Sequence, residues 1–86
     1  MPTLPDDQIT DNARELGLVI FRETLANGGT GEDAVLILLA AAAMLTANGT
    51  RDNATPSDQA IISNEIAEAM KDLTMQSFRE RFGAVN

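Results

Sequence analysis

The sequence predicts an all-α fold: a three-helix bundle with a central, fully apolar second helix, assembled as a homodimer. Three observations carry that prediction. The run Ala34-Val35-Leu36-Ile37-Leu38-Leu39-Ala40-Ala41-Ala42-Ala43-Met44-Leu45 is apolar on every side, and a helix of that kind needs protein around its whole circumference to keep the hydrophobic term that folds it. Thr3-Leu4-Pro5-Asp6, Thr30-Gly31-Glu32-Asp33 and Thr55-Pro56-Ser57-Asp58 each set a hydroxyl three residues before a carboxylate, the spacing of a helix N-terminal capping box. Asn27-Gly28, Asn48-Gly49 and Phe82-Gly83 supply matching stops, because glycine takes the left-handed conformation that closes a helix. No segment alternates apolar and polar residues as a strand does.

The predicted helices span 4–27, 31–48 and 56–82 of a single 86-residue domain. Short connections at Gly28-Gly29-Thr30 and around Gly49 to Ala54 make neighbouring helices antiparallel. In the first helix Ile9, Ala13, Leu16 and Ile20 recur at helical spacing with Gly17 and Thr24 beside them, a core face. Leu18, Phe21 and Leu25 form a second strip roughly opposite. The middle helix adds a stripe of small residues, Ala40, Ala43 and Ala47, with Leu36. The third helix has one continuous apolar face, Ile62, Ile66, Ala69, Met70 and Leu73, and a second strip, Met75, Phe78 and Phe82, on the other side near its C-terminal end. Pro56 at the first helical position makes this the best-marked start of the three.

Composition excludes much chemistry. With no histidine the usual general base and the commonest metal ligand are missing, and with no cysteine there is no thiol nucleophile, thiolate metal site or disulfide. Ser57, Ser63 and Ser77 have no imidazole to activate them. Glu65, Glu68 and Asp72 share one edge of the third helix, yet a carboxylate-bridged metal bundle needs Glu-x-x-His on facing helices; a solvated edge beside Lys71 is the expectation. Gly28-Gly29-Thr30-Gly31 resembles an anion-binding loop but lacks Gly-Lys-Ser/Thr and is followed by Glu32 and Asp33, which repel phosphate. No enzyme, metal or cofactor is therefore expected.

Thirteen carboxylates against six basic side chains give a formal charge of −7, which opposes direct contact with nucleic acid. Part of that charge is helix capping: Asp6, Asp7, Glu32, Asp33 and Asp58 lie at expected N-termini, and Arg79 and Arg81 in a last turn. The opening Met1-Pro2-Thr3-Leu4-Pro5-Asp6-Asp7 does not read as a signal peptide, and the twelve-residue apolar run is short of the ~20 residues a bilayer needs. A cytoplasmic protein with no membrane contact is expected.

What composition leaves over is apolar surface. A chain of this size buries only about 60–65% of its unfolded surface, and a three-helix monomer can hide one face of each outer helix. Leu18, Phe21 and Leu25 on the first helix and Met75, Phe78 and Phe82 on the third, which together hold every aromatic residue of the chain, are the expected protein-interaction residues. The sequence accordingly reads as a small acidic regulator that binds another protein and sequesters or inhibits it, as an antiactivator of a transcription factor does. Two alternatives are a structural subunit of a larger assembly and an acidic DNA mimic.

Overall fold

The computed structural model describes residues 4–83. It is all-α, with helices α1 (Asp6–Ala26), α2 (Gly31–Gly49) and α3 (Pro56–Phe82) in chain order and no strand among the described residues. The chain divides into two compact units, Met1–Gly49 and Thr50–Asn86.

The first unit is an α1–α2 hairpin. Its turn is built from backbone hydrogen bonds: Gly28 N–H donates to the Leu25 carbonyl at 3.1 Å and Gly29 N–H to the Thr24 carbonyl at 2.8 Å. This pair, with Gly28 at φ +88°, is a Schellman closure, which satisfies carbonyls that the end of α1 would otherwise leave bare. The next helix starts at once. Thr30 N–H donates to Asp33 Oδ2 at 2.8 Å and Asp33 N–H to Thr30 Oγ1 at 3.2 Å, the reciprocal box that the spacing predicts.

Beside this turn α1 presents Gly17, Ile20 and Thr24, and α2 presents Gly31, Ala34 and Leu38, each set at three- and four-residue spacing and shielded from solvent to some degree. Thr24 and Ala34 are the buried pair, at 8% and 4% exposure. Thr24 is tolerated there because its hydroxyl donates to the Ile20 carbonyl at 2.6 Å, leaving only its methyl group to be packed. Away from the turn the shielding fades. Leu45 lies on the same side of α2 as Ala34 and Leu38 by helical register but is 74% exposed, and Ile9 and Leu16 on α1 are exposed as well.

Two expectations for this unit are corrected. The helix start assigned to Thr3 lies outside the described residues, and α1 begins at Asp6 with Pro5 as its N-cap and no side-chain cap. A proline disfavours α geometry in the residue before it, so Leu4 cannot open the helix. Gly49 is the last helical residue of α2 and has no positive φ, so it does not act as the left-handed stop that Gly28 and Gly83 provide.

The hairpin does not cover α2. Val35, Leu36, Ile37, Leu39, Met44 and Leu45 are all exposed, and the contact with α1 runs through Gly31, Ala34 and Leu38 and not through the stripe Ala40, Ala43 and Ala47. Small residues near a tight turn let the two backbones converge, whereas the alanine stripe sits where α1 gives it no cover. By length and composition alone α2 is long and apolar enough to cross a membrane, with Glu32 and Asp33 in its first turn.

The second unit is α3 and the segment that leads into it. Thr55 N–H donates to Asp58 Oδ2 and Asp58 N–H to Thr55 Oγ1, both at 3.1 Å, with Pro56 opening the helix. Asp58 also accepts from Arg51 at 2.8 Å, and Gln59 Nε2 donates to the Ala54 carbonyl at 3.1 Å, so the residues before α3 are tied to its first turn. At the other end Gly83, at φ +79°, donates its N–H to the Arg79 carbonyl. Arg79 and Arg81 stand in the last turn, where positive charge complements the helix dipole.

Candidate functional site

The interaction residues expected from sequence fall in both units. On α1, Leu18, Phe21 and Leu25 are all exposed, and a Cβ placed on Gly31 would meet Phe21 Cε2 at 3.6 Å. The ring therefore lies beside the first turn of α2, at ordinary contact distance from where a side chain at position 31 would begin. The strip on α1 is thus partly committed to the hairpin, a packing role that its spacing alone did not reveal.

On α3, Met75, Phe78 and Phe82 follow one another at i, i+3 and i+7 along one side of the helix. Phe78 is 52% exposed, and Met75 and Phe82 are exposed with it. The Phe78 and Phe82 ring centroids are 6.1 Å apart with a 49° tilt, within the range of favourable aromatic pairs. The Arg81 guanidinium carbon lies 5.3 Å from the centre of the Phe82 ring, a cation–π contact. The strip is a small aromatic platform with arginines at its border.

A shallow depression of about 310 Å³ lies beside the α1–α2 turn, lined by Ile20, Glu23, Thr24, Asn27, Gly29 and Ile37. Sequence reasoning did not single it out, because it is formed by the meeting of two helices and not by any motif. Its walls hold the Glu23 carboxylate, the Asn27 amide and Thr24, whose hydroxyl is held on the Ile20 carbonyl, beside apolar groups. Among the described residues no group of three or more carboxylates converges to hold a metal ion; Glu65, Glu68 and Asp72 stand along the exposed edge of α3. Nor is any buried side-chain polar atom in the described residues left without a hydrogen bond.

No protein-family model, curated protein or solved structure matches this chain.

Proposed function

We propose that the chain acts by binding another protein, as a small acidic regulator that sequesters or inhibits its partner. The supporting observation is the exposure of its apolar residues. Ala34 is the one buried apolar residue among those described, while Leu18, Phe21, Leu25, Met75, Phe78 and Phe82 all stand at the surface. Apolar strips left exposed in this way mark surfaces that a partner covers, and aromatic residues and methionine are the types enriched at such contacts. The −7 charge keeps the free chain soluble and repels other acidic molecules.

The test is retention of a partner from the native cell extract on immobilised wild-type protein and on a Leu18→Ser/Leu25→Ser variant. The reading predicts one dominant protein held by the wild type, lost with the variant, and still held as ionic strength rises. A retained set that is the same for both proteins, or that elutes steeply with salt, would overturn it; the latter outcome belongs to an acidic DNA mimic.

A second reading, a structural subunit of a larger assembly, draws on the exposure of α2 along Val35, Leu36, Ile37, Leu39, Met44 and Leu45. A subunit forms large particles by light scattering when purified alone. A regulator stays small.

A further inference from the structure

We propose that the C-terminal part of α3 is a self-association seam, on which a second copy of this chain lies antiparallel. The proposal leaves the α1 strip to the regulated partner and does not depend on that partner's existence. Its basis is the charge pattern on and beside the apolar strip. Met75, Phe78 and Phe82 occupy successive seam positions of a heptad register, and the same register carried backwards reaches Lys71 and then Glu68. A parallel copy would set Lys71 against Lys71 and Glu68 against Glu68 inside the seam. An antiparallel copy brings Met75 against Phe78 of the second copy and Phe78 against its Met75, contacts that suit a thioether beside a ring. It also sets the Lys71 stem and ammonium against Phe82, a pairing of cation and aromatic face.

The flanking charges agree. Asp72 and Arg79 border the strip on the same side, seven residues apart, or about 10.5 Å along the helix, which is too far for them to pair within one copy. Both are exposed, and neither side chain is paired within the described residues. In the antiparallel arrangement each Arg79 lies beside Asp72 of the other copy, so one contact is made twice about the two-fold axis. In the parallel arrangement Arg79 would face Thr74 of the second copy, and its pairing with Asp72 is lost. An acidic chain that repels its own kind over most of its surface thus carries one stretch of helix whose charges are self-complementary.

The experiment is sedimentation equilibrium of the full chain over a range of concentrations, with Asp72→Arg, Phe78→Ala and the double variant Asp72→Arg/Arg79→Asp. The expected result is a dimer weakened about tenfold or more by each single change and restored to within about threefold by the charge swap, which returns opposite charges to both contacts. Helix content by circular dichroism, unchanged in Asp72→Arg, separates lost association from lost folding. Because the natural chain has no cysteine, an equimolar mixture of Asp72→Cys and Arg79→Cys adds a direct reading of direction. The antiparallel seam forms the mixed disulfide in preference to either homodimeric one. Preference for the homodimeric disulfides, a dimer indifferent to Asp72→Arg and Phe78→Ala, or a wild type that stays monomeric would each overturn the seam. A monomer that still retains its partner through Leu18 and Leu25 would do so while leaving the proposed function standing.

Discussion

Thr24 and Gly29 are in close contact at the hairpin turn. The Thr24 carbonyl accepts the Gly29 N–H at 2.8 Å, and a Cβ at Gly29 would fall 2.7 Å from the Thr24 methyl carbon and 3.1 Å from Asp33 Oδ2. The methyl cannot turn away, since the Thr24 hydroxyl is held on the Ile20 carbonyl and a β-branched side chain in a helix has few rotamers.

Gly29→Ala should therefore destabilise the hairpin by about 1–3 kcal/mol, the scale of a forced overpacking. Gly17→Ala is the control. A Cβ there meets nothing within 4 Å, so the same substitution should stabilise by roughly 0.5–1 kcal/mol through helix propensity and a less flexible unfolded chain. Chemical denaturation of both variants checks the opposite signs, and two changes of the same sign would refute the packing account of Gly29.

The capping boxes make a second pair. Thr30→Ala and Thr55→Ala each remove a hydroxyl that accepts the N3 backbone N–H, and each should cost about 1 kcal/mol. Asp58→Ala should cost more than Asp33→Ala, because Asp58 also holds Arg51. Amide hydrogen exchange in the first turns of α2 and α3 reports each loss locally.

Gly28→Ala tests the turn by conformation and not by crowding. Gly28 sits at φ +88° with open space where a Cβ would go, so the whole cost is the left-handed backbone, roughly 1–2 kcal/mol for an L side chain. Gly28→Asn should recover part of it, since asparagine visits that region more readily. A thermal melt that ranks Gly above Asn above Ala is the expected outcome.

Phe78→Ala separates interface from core. With the side chain 52% exposed in the single chain, truncation should reduce association by about 2 kcal/mol or more, the scale of an interface hot spot, and leave the helix content of the free chain in place. A core phenylalanine would instead cost ~3–5 kcal/mol of folding stability. Denaturation of the variant below its association range, set beside sedimentation of the wild type, decides between the two.

The three helices, and the capping of α2 and α3, were legible in the sequence because they depend on near neighbours. Thr30 reaches Asp33 and Thr55 reaches Asp58 within one turn, and no distant residue has to cooperate. The later start of α1, at Asp6, has an equally local reason: Pro5 keeps Leu4 out of helical geometry. The six candidate interaction residues were legible as apolar strips, since periodicity alone assigns them to faces. What periodicity could not assign was cover. Phe21 and Leu25 belong to one strip by spacing, yet Phe21 leans on Gly31, and the alanine stripe of α2 is left exposed while Gly31, Ala34 and Leu38 meet α1.

By itself, then, the sequence determined that this chain is helical and roughly where its three helices run, since propensity and capping act over a few residues. Only the tertiary structure decided which apolar residues find cover within the hairpin. That depends on how closely two backbones converge, and convergence is set at one joint, where Gly28, Gly29 and Thr24 bring α1 and α2 together and the small residues Gly31 and Ala34 allow contact.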